Sequence, residues 1–251
     1  MNITREDLFL HSPWLNAAGM LGFSPPRAWR WPVEMGAFVT NPVSRLPRSP
    51  ASNRAAIPYP GGLLFHTGHP NPGLQSVLRR NIEHWRRLDV PIWVHLLGDD
   101  PGMVALLVHD LEECQDIVMA VEIGIPPGAS SAEGLALVQA ATGELPVIAA
   151  IPLTAAFEGW LPDLIKAGAA AISLTAPRGC LTAGDGRLVS GRLYGPSLFP
   201  LAMAGLQSAL SCGLPVIAGC GVYTLADGEK LLEAGALAVQ LDTVLWIASN
   251  I

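Results

Sequence analysis

The stretch PVIAGCGVYTLADGEKLLEAGALAVQLDT, residues 215–243, reads as strand, glycine turn, helix and strand in succession. Its first apolar run, 216–218, meets Gly219-Cys220-Gly221, small residues that let backbone amides come close to a ligand. The helix that follows carries Leu231 and Leu232 on its expected buried side. It stops at Ala234-Gly235-Ala236, where Gly235 supplies the left-handed residue that ends helices. A second strand, 237–241, then gives way to Asp242-Thr243. Paired turns of this kind hold phosphate at the top of parallel eight-stranded barrels. Here a carboxylate, Asp242, stands where such cradles ordinarily keep glycine.

Outward from this unit, six more apolar runs fall at 14–18, 37–39, 91–97, 117–125, 146–153 and 170–175. Helical patterns fall at 72–87, 102–113, 131–142, 156–167 and 196–211, the first with Asn71 as N-cap and Pro72 at the opening helical position. Two segments rich in Pro, Arg and Gly, 41–72 and 177–195, read as irregular excursions over one face. Near-continuous apolar strands alternating with helices predict a parallel sheet buried on both sides. Eight such units in 251 residues predict a single (β/α)₈ barrel domain spanning residues 1–251, with a shortened C-terminal helix because only VLWIASNI follows Thr243. A short last helix would leave apolar surface beside the first and last strands, so a homo-oligomer or a place in a larger complex is expected.

Composition narrows the function. Half of the residues are apolar and 14% are charged, enough for a large core. A net charge of −6 gives no basic footprint for nucleic acid. The basic run from Arg79-Arg80 to Arg86-Arg87 has the spacing of a solvated helix face. No apolar run is long enough for a membrane span, and the opening MNITREDLFL lacks a signal peptide's apolar centre, so a cytoplasmic address is expected. The four cysteines form no CxxC pair and read as free thiols, and the histidines show no metal-ligand spacing.

Several segments, in order, resemble the dihydroorotate dehydrogenase family of FMN-dependent barrels. Ser12-Pro13-Trp14-Leu15-Asn16-Ala17-Ala18-Gly19 resembles the family's opening strand, whose backbone lies under the flavin ring. Thr40-Asn41-Pro42-Val43-Ser44, with Pro47-Arg48 behind it, resembles its Thr-Lys-Ser-Val-Thr…Pro-Arg segment. Gly68-His69-Pro70-Asn71-Pro72-Gly73-Leu74 resembles its Gly-Leu-x-Asn-Pro-Gly turn. Gly191-Arg192-Leu193-Tyr194-Gly195-Pro196, Gly219-Cys220-Gly221-Val222 and Asp242-Thr243 fall where the family holds the FMN phosphate. The resemblance implies FMN as cofactor, contacted by Ala18, Gly19, Met20, Tyr194, Gly195, Cys220, Gly221, Asp242 and Thr243.

The same resemblance exposes departures. The family lysine of the second strand is Asn41, the asparagine before the Gly-Leu turn is Phe65, and the fifth-strand lysine is Ala150. The sixth-strand asparagine falls at Thr175 or Ala176. The fourth strand offers Glu122-Ile123-Gly124-Ile125-Pro126-Pro127-Gly128 in place of the segment that carries the catalytic Cys or Ser. Dehydrogenation beside a flavin needs a base at one carbon and hydride transfer at the next. Orotate formation by the family mechanism is therefore not expected.

Glu122, on a buried strand, is the candidate catalytic base, with a raised pKa from burial or a structural role inside the barrel as the alternative. His95 would point into the barrel mouth near it, while His66, His69, Arg178 and Arg192 lie in the segments over that face. A carboxylate at Asp242 within about 4 Å of a phosphate would cost on the order of 4 kcal/mol at an effective dielectric of 20, unless its side chain turns away. Three functions follow: an FMN oxidoreductase with altered substrate, a flavin-free barrel enzyme acting on a small anionic ligand, and a non-catalytic subunit.

Overall fold

A computed structural model describes residues 4–26 and 32–247. In chain order the elements are β1 (Trp14–Asn16), β2 (Phe38–Val39), β3 (Ala55–Tyr59), β4 (Gly62–His66), α1 (Leu74–Trp85), β5 (Ile92–Leu97), α2 (Pro101–Glu112), β6 (Val118–Gly124), α3 (Ser131–Ala140) and β7 (Val147–Pro152). Then come α4 (Asp163–Lys166), β8 (Ala171–Thr175), β9 (Arg178–Thr182), β10 (Leu188–Tyr194), α5 (Phe199–Leu210), β11 (Val216–Gly219), α6 (Leu225–Glu233), β12 (Ala238–Leu241) and α7 (Val244–Ile247).

Eight strands pair in the order β1-β12-β11-β8-β7-β6-β5-β2, and the pairings are parallel. A parallel bridge between Leu15 and Ala37 joins the two ends, so the sheet is a closed barrel. Closure at this seam is reinforced by one side chain, because β2 is only two residues long. Asn16 is fully buried. Its amide donates to the Val39 carbonyl at 2.6 Å, and its side-chain oxygen accepts from the Val39 N–H at 3.0 Å. The side chain thus reproduces the ladder that a longer strand would have supplied.

Inside the barrel, Leu15, Val39, Trp93, Ala120, Ile148, Ala171, Ile217 and Ala238 fill the lower layer, and Leu8 and Leu10 plug it from below. Large and small residues alternate around this ring, as a tapering barrel core requires. Outside, the second faces of the strands pack on the helices. The helix of the opening stretch shows how local sequence sets this up. Thr224 and Asp227 close a capping box at the start of α6. Gly228 lies where a Cβ would meet the Trp14 ring at 2.3 Å. Gly235, at φ 108°, ends the helix region as its sequence position predicts. Leu231 is buried, whereas Leu232 is only partly so.

Three expectations need correction. The excursions at 41–72 and 177–195 are not irregular: β3 and β4 form a hairpin, β9 and β10 another, and the two join as an antiparallel sheet in the order β3-β4-β10-β9. Strand patterning was weak there because half of these residues face solvent over the barrel mouth, and Pro58 interrupts the first run. The helix expected at 156–167 is reduced to a 3₁₀ turn, Leu153–Phe157, and the short α4, since Gly159 and Pro162 break the pattern between them. The first helix is preceded by Gly73 rather than capped by Asn71. The Asn71 side chain instead accepts from the N–H groups of Gly73 and Ser44, pinning the turn.

Replacing Asn16 by Ala strips both Val39 backbone groups of their buried partner. An equilibrium urea titration should show a loss of about 3 kcal/mol, whereas Arg80→Ala on the exposed face of α1 should stay within about 0.5 kcal/mol of wild type.

Candidate functional site

Above the apolar layer the barrel interior turns polar, and one buried charge organises it. Glu122 on β6 is 1% exposed. One carboxylate oxygen lies 2.6 Å from His95 Nδ1 on the neighbouring strand β5. The other accepts from the Gln240 amide of β12 at 2.7 Å, and Ser173 of β8 donates to the Gln240 carbonyl oxygen at 3.0 Å. Burial pushes the Glu122 pKa up, but the hydrogen bonds and charge of His95 and the bond from Gln240 outweigh it and hold the carboxyl below its ordinary range. The expected raised pKa is thereby reversed: the carboxylate is ionised because donors from other strands surround it.

Glu122 itself does not line the cavities at the barrel mouth, whereas His95 lines both. The carboxylate fixes the imidazole through Nδ1 and leaves Nε2 for the cavity side, where a Cβ on Gly124 would stand 2.7 Å from it. A carboxylate behind an imidazole in this way sets its tautomer and its orientation.

The larger cavity is a cleft of about 580 Å³ between the barrel mouth and the antiparallel sheet. Ala18, Gly19 and Met20 from the end of β1 line it, together with His66, His69, Arg48, Arg178 and Arg192. Its charged lining is three arginines and one carboxylate, Asp99, which is 3.3 Å from Arg48. Arg192 donates to the Ala176 carbonyl at 3.4 Å, and Arg178 reaches Ser190. On a chain of net charge −6 this cleft is a local cationic field. His69 stays neutral inside it: burial, then Arg192 and its neighbours, push its pKa down to about 3. Burial and Arg178 likewise lower that of His66. One end of the cleft is aromatic. Phe65 meets Trp246 edge to face at 5.5 Å, and the Trp246 indole donates to the Met20 carbonyl at 2.9 Å.

The turns at the ends of β11 and β12 border a second, much smaller space of about 30 Å³, lined by Tyr194, Cys220, Gln240 and Asp242 among others. Asp242 turns inward, at 3% exposure. Its Oδ1 accepts from the Thr243 hydroxyl at 3.1 Å, while Oδ2 is buried without a hydrogen-bond partner. Burial raises its pKa to about 6, against the Thr243 hydroxyl and the nearby N–H groups of Thr243, Gly221 and Val244, which favour the ionised form. Tyr194 and Cys220 are buried beside it, and burial raises the pKa of both, leaving an inert thiol and a neutral phenol. Such a space holds about one water molecule. As these side chains stand, it does not accommodate a phosphate, so the residues at the cradle do not fit the FMN expected from the resemblance.

The expected site residues thus divide. Gly19 and Met20 line the cleft, Ala18 and Tyr194 line both spaces, and Cys220 and Asp242 line the small one. Gly195, Gly221 and Thr243 lie behind them: the Thr243 hydroxyl is 2.6 Å from the Tyr223 hydroxyl, and a Cβ on Gly221 would strike the Phe199 backbone at 2.4 Å. Asn41, at the family lysine position, accepts from the Gly22 N–H at 3.0 Å and braces a loop. Gln240, Ser173 and Trp246 carry no expectation from the sequence, and Arg48 enters there only as the end of the Pro47-Arg48 motif. Two of them, Ser173 and Gln240, are polar residues interrupting apolar strands, a signal the sequence does carry.

The chain is a closed parallel α/β barrel with a cationic cleft at the carboxyl ends of its strands and an imidazole–carboxylate pair beneath, the end at which barrels of this class place their ligands. No protein-family model matches the chain. It is 26% identical over 273 residues to the dihydroorotate dehydrogenase B (NAD(+)) catalytic subunit of Trichlorobacter lovleyi, covering 98% of this chain and 88% of that protein. The protein of the same name from Pelobacter propionicus is 27% identical over 272 residues, covering 100% of this chain and 89% of the relative. A crystal structure of the Eimeria tenella dihydroorotate dehydrogenase, in complex with ferulenol, superposes with a TM-score of 0.72 at 15% identity over 99% of this chain and 83% of that one. Over nearly its whole length the chain is thus similar to dihydroorotate dehydrogenase B catalytic subunits, and it shares the fold of a dihydroorotate dehydrogenase. No helix among the described residues is long and apolar enough to cross a membrane.

Two measurements probe the buried charges. Glu122→Ala and His95→Ala should each cost about 3 kcal/mol because each leaves a buried partner unanswered. The double variant should cost less than the sum by about 1 kcal/mol or more; strict additivity in a denaturation cycle would contradict the pairing. For Asp242 the sign is opposite. Its folded pKa of about 6 lies above the ordinary 3.8, so its ionisation opposes folding. The stability is intact below pH 3.8 and is lost as pH rises through about 6. Asp242→Asn should therefore gain up to about 3 kcal/mol over wild type at pH 8 and nothing at pH 3.5, read from denaturation at both values.

Proposed function

We propose that this chain is a dihydroorotate-dehydrogenase-like barrel that binds a small carboxylate ligand in the cleft under Arg178 and Arg192 and moves a proton at it through His95. The observation that carries this reading is the union of a cationic cleft with a carboxylate-backed imidazole at its floor. A guanidinium offers a planar fork of donors suited to a carboxylate, and an ion pair in a cleft is screened less than one on an open surface. His95 then takes or gives a proton through Nε2, and Glu122 stabilises the imidazolium that results. Glu122 serves on this reading as a positioning residue behind the imidazole. Neutral His69 supplies a donor and an acceptor without adding charge.

The relatives' name favours a second reading, a redox enzyme with altered substrate that uses FMN. The near-complete overlap with the dihydroorotate dehydrogenase B catalytic subunits and the placement of Ala18, Gly19 and Met20 at the cleft support it. The filled cradle around Asp242 and Tyr194 weighs against it, and no step of the chemistry proposed above depends on a flavin.

The test is a panel of small mono- and dicarboxylates, orotate and dihydroorotate included, titrated calorimetrically into the purified protein. At least one should bind, and Arg192→Ala should weaken it about tenfold, the loss of one charge-assisted hydrogen bond. Binding by none of the panel, or equal binding by the arginine variant, would overturn the carboxylate reading. A yellow protein with flavin absorbance, or one that acquires it stoichiometrically when mixed with FMN, would replace it by the second.

A further inference from the structure

We infer that the Asp242 carboxylate is a built-in anion standing in the place of a ligand's phosphate, so that the turns after β11 and β12 are closed to phosphate monoesters by the chain itself. The inference is independent of what the cleft binds.

Four observations meet at this point. The turn keeps the backbone of an anion cradle: Cys220 and Gly221 both have positive φ, 69° and 78°, and the amides of Gly221, Thr243 and Val244 lie close enough to the Asp242 carboxyl to favour its ionised form. That backbone is under constraint, since Cys220 adopts a conformation side chains rarely take and Gly221 has no room for a Cβ against Phe199. The carboxylate enters the cradle rather than leaving it, for Asp242 is 3% exposed and lines the small cavity. Finally, its bonding in the cradle is incomplete: among the described residues Oδ2 is buried without a hydrogen-bond partner, and the side-chain bond to Oδ1 comes from the neighbouring Thr243 hydroxyl.

A buried carboxylate with a bare oxygen is a costly way to fill space, and an apolar residue would fill it better. What the carboxylate does match is the preference of converging amides for an anion. Tyr194 completes the closure, because its buried ring lines the same cavity and leaves room for about one water. Charge and volume therefore both exclude a phosphate, the charge term being the larger for a dianion.

The two terms can be separated in the full-length protein. Asp242→Asn removes the charge and keeps the volume; Asp242→Gly removes both. Each is titrated with inorganic phosphate and with FMN, read by thermal shift and, for FMN, by fluorescence quenching. Wild type should show no saturable response to millimolar phosphate. Asp242→Gly should bind phosphate on the order of a hundredfold tighter than wild type, the scale of one relieved like-charge contact in a partly screened site. Asp242→Asn should fall between them. If the glycine variant does not fold, the asparagine variant alone still decides, since it must bind phosphate more tightly than wild type. Saturable phosphate binding by wild type, or no gain in either folded variant, overturns the inference. Carboxylate binding in the cleft should persist in both variants, so a failure of that binding is distinguishable from a failure here.

Discussion

An ionised carboxylate enclosed by a barrel is admissible only if donors from other strands reach it, and this requirement ties the upper half of the molecule together. Glu122 is answered by His95 from β5 on one side and by Gln240 from β12 on the other, with Ser173 of β8 holding Gln240. Four of the eight barrel strands are thereby cross-linked at one level. An apolar layer at that level would have been at least as stable, because buried ion pairs gain little over good packing. The polar layer instead gives the imidazole one orientation, immediately beneath a cleft lined by arginines. The stability of the barrel and the direction of His95 are consequences of the same hydrogen bonds.

A similar exchange recurs around the mouth, where positions that the family resemblance assigns to a ligand are turned to internal partners. Asn41, in the lysine position, braces Gly22. Phe65, in an asparagine position, packs on Trp246. Asp242 and Tyr194 enter the phosphate cradle. Each change closes a polar demand or a void from within the chain. What remains open is the cationic cleft beneath the antiparallel sheet, and two of its three arginines, Arg178 and Arg192, are carried by β9 and β10, which lie outside the barrel proper.

The barrel was legible because its signal is local: each of the eight strands is a short apolar run, and stops such as Gly235 have a single stereochemical reading. The antiparallel sheet was not, because its two hairpins join each other across more than 120 residues of chain and their strands face solvent on one side, so period and composition carry little. The site was legible in part. Glu122 and His95 stand out as polar residues on buried strands, and their pairing follows from adjacent strands in register, His95 opposite Glu122. The pKa direction of Glu122 could not be read off, since it depends on how His95 and, 118 positions away, Gln240 are turned toward the carboxylate. Asp242 was legible as an anomaly, but the direction of its side chain is a tertiary fact.

That direction bears on how the fold relates to its chemistry. A cradle of amides is expensive to dismantle, because its glycines and positive φ angles are built into the packing of β11 against α5, as the Gly221–Phe199 contact shows. A chain that no longer holds a phosphate there is left with converging donors and no acceptor. A single side chain carrying an anion answers part of that demand without rebuilding the backbone, at the cost of one poorly solvated oxygen and a pKa raised to about 6. Retention of the turn therefore says little by itself about retention of a phosphate ligand. The residue at position 242 carries that information, and it does so through its charge and its inward aim rather than through the glycines that make the motif recognisable.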